Sequence, residues 1–172
     1  INKVIQQLLD FARPQSRLFQ EVSINQIIKE TLVLVQTNGV NSRIDFSISL
    51  DETLPALEVD ASGLKQVFLN LLINAVQSIP AKGEISIETT RLTMEKIQIT
   101  IKDTGGGMSD DVQKKIFMPF FTTKSQGTGL GLSIVQRIIN DHSGDVIIES
   151  KIHQGTKVMI ILPLKRNNGN LL

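Results

Sequence analysis

Cysteine is absent from the 172 residues, which excludes disulfides and thiolate metal sites and fits a reducing compartment. Histidine is scarce. His142 and His153 stand alone, neither flanked at metal-ligand spacing, so no zinc centre is expected. Charge imbalance is lacking too: 18 basic and 17 acidic side chains leave a net charge of +1, with no electrostatic footprint for nucleic acid. No uncharged apolar run approaches the ~20 residues of a membrane span. Signal-peptide pattern, internal repeat and low-complexity tract are all missing, and the first residue is Ile1 rather than Met. The expectation is an excised cytoplasmic piece without membrane contact of its own, although its parent could be tethered. With 41% hydrophobic residues, there is material for the core of one domain.

That material centres on Asp60 to Pro80, DASGLKQVFLNLLINAVQSIP. Leu64, Val67, Phe68, Leu71, Leu72, Ala75, Val76 and Ile79 recur at the three- and four-residue steps of a buried helical face. Asp60 or Ser62 caps the start, and Pro80 bars continuation. Beside this face runs a polar stripe of Asn70, Asn74 and Gln77. Buried amides need partners, and water, a neighbouring loop or a ligand could each serve.

Upstream, Ile1 to Ala12 has a near-heptad pattern, suited either to another chain or to its own domain. Arg13 to Val22 reads as a linker, and Ser23 caps a helix that Asn38-Gly39 ends. Arg43 to Leu50 alternates as a half-buried strand, with a short strand at Leu57 to Val59. Beyond Pro80, Glu84 to Arg91 and Lys96 to Lys102 are predicted to form a hairpin turning near Thr93-Met94. A short helix over Ser109 to Ile116 follows, then an amphipathic helix over Gly129 to His142. Asp145 to Lys151 and Thr156 to Pro163 close the chain as a strand pair. This order implies an α/β two-layer sandwich: a mixed, largely antiparallel sheet of about five strands, with about three helices on one face. Expected boundaries are an N-terminal helix remnant over 1–14, the main domain over 15–164 and a frayed tail over 165–172.

Two glycine-rich segments carry the chemistry. Asp103-Thr104-Gly105-Gly106-Gly107 ends a strand, where a backbone without Cβ lets a planar ligand approach and a carboxylate can accept from an exocyclic amine. A glycine hairpin capped by Asp103 would look the same. Gly127-Thr128-Gly129-Leu130-Gly131-Leu132-Ser133 opens a helix whose free first-turn amides suit a phosphate. It matches neither the P-loop nor the dinucleotide fingerprint. Lys124 just upstream could reach a terminal phosphate or remain solvated.

Together, the asparagine stripe, Asp103-x-Gly105-x-Gly107, Phe117-x-Pro119-Phe120 and Gly127-Thr-Gly-Leu-Gly-Leu resemble, in order and spacing, the N box, first glycine box, F box and second glycine box of sensor histidine kinase catalytic domains. These domains share a superfamily with DNA gyrase B, MutL proteins and heat-shock chaperone ATPases. The segment FFTTKSQGTGLGLSIV is similar to nitrogen-regulation and sporulation kinases, and Ile1 to Pro14 to the end of a dimerisation and phosphoacceptor helix.

The resemblance implies ATP and Mg²⁺ as cofactors, with Asn74, preceded by Asn70, holding the ion that bridges the phosphates. It implies that Asp103, supported by Thr156, binds the adenine amino group in a pocket lined by Gly105 and Gly107. Gly127, Thr128, Gly129, Leu130 and Gly131 shape the lid and receive the phosphates, and Phe117 and Phe120 anchor the lid by packing. Many members carry a lysine where this chain has Gln77, so Lys124 becomes the candidate phosphate contact. Hydrolytic relatives carry a glutamate base where Asn70 stands, and a neutral amide accepts no proton. Transfer to a histidine is therefore the expected reaction; the alternatives are an ATP-binding module whose nucleotide only gates a protein interaction, and an ATP hydrolase, which Asn70 speaks against. Neither histidine has the phosphoacceptor's His-Glu/Asp context, and His142 is expected to cap or pack. The implied partners are the dimerisation and phosphoacceptor domain of the same kinase, as a homodimer, and a response regulator.

Overall fold

Asp60 decides where the central helix begins. Its Oδ1 accepts from Ser62 N (3.1 Å) and Ser62 Oγ (2.6 Å), so the aspartate rather than the serine caps α2 (Ala61–Ser78). Ile79 is already extended, and Pro80 brings no N–H with which to continue. Leu64, Val67, Phe68, Leu71, Leu72 and Ala75 are buried and Val76 is half-buried. Each large apolar side chain contributes roughly 1.5–3 kcal/mol by leaving water.

The computed structural model describes residues 18–37, 43–125 and 127–165. Around α2 stand β1 (Phe19–Val22), α1 (Ile24–Thr37), β2 (Ile44–Leu50), β3 (Leu57–Asp60), β4 (Gly83–Arg91), β5 (Lys96–Asp103), α3 (Asp110–Gln113), α4 (Gly131–Asp141), β6 (Asp145–Lys151) and β7 (Gly155–Pro163). Five strands form one sheet in the order β2-β4-β5-β7-β6, parallel only between β2 and β4. Alternation puts Ile85, Ile87, Ile97, Ile99, Ile101, Val158, Ile160 and Leu162 on the face covered by α2, which packs between α1 and α4. Glu84, Glu88, Lys96 and Lys102 stay exposed. The expected two-layer sandwich is present, with its helices on one face. Among the described residues, no helix is long and apolar enough to cross a membrane.

Three expectations are corrected. Phe19 to Val22, inside the expected linker, is a strand paired antiparallel with β3 in a second, two-stranded sheet. Gly129 does not begin the amphipathic helix: its φ of +71° is left-handed, and α4 starts at Gly131. The short helix contracts to Asp110–Gln113, capped by Ser109, and gives way to turns. The expected N-terminal helix, the Asn38-Gly39 stop and the tail beyond Lys165 lie outside the described residues.

His142 ties these layers together. It is buried at the end of α4, its Nε2 accepts from Asp60 N (3.0 Å), and its ring lies 5.0 Å from that of Phe19. With Nε2 accepting, the proton resides on Nδ1, which donates to Ile138 O (2.7 Å). A structural role, as expected, is what these contacts describe.

Candidate functional site

The polar stripe of α2, the end of β5 and the start of α4 converge at one end of the sandwich. On one side lies Asp103, 6% exposed, the last residue of β5. Its Oδ1 accepts from Gly105 N at 2.8 Å and lies 2.8 Å from Ser78 Oγ, whose proton is shared with Ala75 O at 2.7 Å. Both contacts use Oδ1, which leaves Oδ2 without a hydrogen-bond partner among the described residues. Gly106 N donates to Ser78 O (3.1 Å), closing the loop onto the end of α2. Gly107 then turns with φ +67°, and a Cβ there would strike the Lys151 carbonyl. Thr156 stands directly opposite Asp103 in the β5–β7 register, and its hydroxyl meets Ser150 Oγ at 2.9 Å.

Across from this glycine loop, the first turn of α4 faces the asparagines. A Cβ built on Gly131 would lie 3.8 Å from Asn70 Oδ1 and 3.9 Å from Asn74 Nδ2, so glycine keeps the space between the two elements open. Asn70 Nδ2 is buried without a hydrogen-bond partner, the one such side-chain atom among the described residues. An orphaned buried donor costs about 1–3 kcal/mol. Lys124 arches over from the lid, and its Nζ donates to Asn74 Oδ1 (3.1 Å) and Gln77 Oε1 (2.8 Å). Desolvation beside α2 lowers its pKa below the ordinary lysine value, and the negative charge of Asp103 opposes that shift. The lysine thus stands over Gln77.

Other sites differ from their expected roles. Leu130 is fully buried and its side chain belongs to the core, leaving only its main chain for a ligand. Phe120 does not pack: its ring is 61% exposed and its φ is +67°, while its main chain sits against Gly129. Gly127 is exposed and Thr128 half-buried, on the lid between Lys124 and α4. Sequence reasoning missed Ser78, which extends the Asn74 stripe by one turn, and the cluster of Gln113 and Ser150. Gln113 Nε2 donates to Ser150 O (2.9 Å) and its Oε1 accepts from Ser150 N (3.2 Å), pinning the loop after β5 to the edge strand.

A carboxylate beside a glycine loop, with neutral amides and a cation near a helix N-terminus, is what the fold gathers at this end of the sandwich. Residues 59–166 match the histidine kinase-, DNA gyrase B- and HSP90-like ATPase family, and the chain belongs to it. Within that family it is of the sensor histidine kinase type. It is 52% identical over 164 residues to the signal transduction histidine-protein kinase AtoS of Escherichia coli (strain K12), covering 95% of this chain and 27% of AtoS. Sporulation kinase E of Bacillus subtilis (strain 168) is 35% identical, over 97% of this chain and 23% of the kinase. Among solved structures, histidine kinase ThkA in complex with response regulator protein TrrA superposes with a TM-score of 0.82 at 28% identity, over 97% of this chain and 48% of ThkA. The chain spans about a quarter of the length of the two curated relatives.

Proposed function

We propose that this chain is the cytoplasmic catalytic domain, over 15–164, that binds ATP with Mg²⁺ and donates the γ-phosphoryl group to a histidine of a dimerisation and phosphoacceptor domain, as a homodimer that signals to a response regulator. The observation that carries this reading is the juxtaposition of Asn70, Asn74, Lys124 and Gly131 opposite the Asp103 recess. Asp103 and Thr156 would hold adenine between Gly105 and Gly107. The main chain from Gly127 to Gly131 and the Lys124 ammonium would receive the phosphates.

The donor set fits magnesium. Asn74 Oδ1 already faces a cation, and Asn70 Oδ1, turned toward Gly131, is a second neutral oxygen on the same stripe. Mg²⁺ held by Asn74 and Asn70 would supply positive charge against the phosphates. What the chain adds is orientation, because Asn70 cannot deprotonate water. The imidazole nitrogen brings its own lone pair. It forms the N–P bond as the bond from phosphorus to the β–γ bridging oxygen breaks, and ADP leaves. Neither histidine of this chain is placed to receive the group: His142 is buried in the Asp60 contact, and His153 lies in the β6–β7 turn.

The test follows γ-labelled ATP incubated with the chain and Mg²⁺, with and without an added phosphoacceptor fragment. The expected outcome is slow phosphate release, no label on the chain, and acid-labile label on the fragment. Rapid release would move the protein among the hydrolases, and acid-stable label on the chain would indicate a hydroxyl acceptor.

A further inference from the structure

Phe46, Ile85, Asp103, Thr156 and Ser150 stand opposite one another across five strands. Directly opposed residues share a face, so Asp103, Thr156 and Ser150 form one polar row at the base recess. Three groups meet at the Ser150 hydroxyl: Met108 N, Gly155 O and Thr156 Oγ1, each at 2.9 Å. A serine hydroxyl has one proton and two lone pairs. Met108 N–H can only donate, so it takes one lone pair. Gly155 O can only accept, so it takes the proton. The remaining lone pair must accept from Thr156, whose single proton is thereby spent. Reversing that bond would leave Ser150 Oγ and Gly155 O at 2.9 Å with no proton between them.

We propose that Ser150 is a specificity-determining positioning residue: it fixes the direction of the Thr156 hydroxyl, so Thr156 presents lone pairs rather than its proton beside Asp103. Asp103 Oδ2 and the Thr156 lone pairs then call for donors, met directly or through water. A 6-amino purine supplies two N–H donors at position 6, whereas a 6-oxo purine sets an acceptor there and keeps only its N1 proton to offer, leaving the row badly paired. The inference rests on the nucleotide reading above and deepens it.

ATP and inosine triphosphate test this directly, because they differ in the base only at position 6 and the adjoining N1 proton. Calorimetric titration of the chain with each, in the presence of Mg²⁺, should show wild-type preference for ATP. Ser150→Ala frees the Thr156 proton and should narrow that preference roughly tenfold. Ser150→Thr keeps the hydroxyl and should restore it. With Thr156→Val already in place, adding Ser150→Ala should leave the ratio where Thr156→Val put it, since Ser150 acts through Thr156. A merely structural Ser150 would weaken both nucleotides alike at constant ratio, and that result overturns the proposal. If the wild type binds neither nucleotide, the nucleotide reading falls first. If it binds ATP while Ser150→Ala leaves the ratio unchanged, only the polarity inference falls.

Discussion

The two ends of the site are built differently. The base end is sewn into the sheet: Asp103 is bonded to α2 and to its own loop, and Gln113 clamps the loop to β6. Before the buried Leu130, the lid end is held by little. Gly129 leans on the Phe120 main chain, the Phe120 ring is exposed, and a single lysine bridges to α2. A recognition surface gains from being fixed before the ligand arrives, because ordering it later would subtract from affinity. A lid proposed to admit and release phosphates belongs at the low-stability end of the molecule. Two glycines with nearly equal positive φ, Gly107 at +67° and Gly129 at +71°, offer the sharpest contrast between these regimes.

The largest effect should come from Gly107→Ala. The new methyl meets the Lys151 carbonyl in a loop anchored at Met108 and Gln113, so it cannot move away cheaply. Destabilisation of about 2–4 kcal/mol is expected, read by thermal or urea unfolding. A change within about 0.5 kcal/mol would show that the base end yields as readily as the lid. Next comes Asp103→Asn. Its carbonyl can keep the Gly105 contact, but an amide N–H₂ then replaces the free Oδ2 acceptor. Affinity for ATP should fall roughly 30- to 100-fold with little change in unfolding. Calorimetry with unchanged affinity would remove Asp103 from the base contact.

What the sequence made legible follows the same division of labour. Period and capping sufficed for α2 and the hairpins, and residue type for the glycine motifs, since each is a local pattern. Strand β1 escaped because four residues cannot establish alternation, and its pairing with β3 is a long-range event. The Ser150 and Gln113 cluster escaped because isolated serines and glutamines on a strand and a short helix look solvated. Only the register that sets Ser150 opposite Thr156, and Thr156 opposite Asp103, reveals their use. The Phe120 ring was misjudged for a related reason. Family resemblance supplied an aromatic anchor, whereas the left-handed backbone at Phe120 turns the ring outward and leaves the main chain to make the contact.

Gly129→Ala is the counterpart that completes the comparison. A Cβ there would strike the Phe120 main chain at a φ no alanine favours, as harsh a local clash as at Gly107. Because the lid can shift as a unit, unfolding should change by less than about 1 kcal/mol. Phosphoryl transfer to the acceptor fragment should fall about tenfold or more, since the amides proposed to receive phosphate are displaced. Equal destabilisation by the two alanines would erase the distinction between a fixed base end and a yielding lid.

Lys124→Ala should have the smallest effect on stability, within about 0.5 kcal/mol, because the residue is exposed and its bonds are to neutral amides. ATP affinity should drop roughly three- to tenfold. The informative step is adding Gln77→Lys to that background. Gln77 Oε1 lies 2.8 Å from Lys124 Nζ, so a lysine grown from position 77 reaches the same point from the helix instead of the lid. Restored affinity in calorimetric titration would mean that the site needs only a positive charge there, from whichever element carries it. Failure to restore would mean that Lys124 works by drawing the lid onto Asn74, which a helix-borne lysine cannot do.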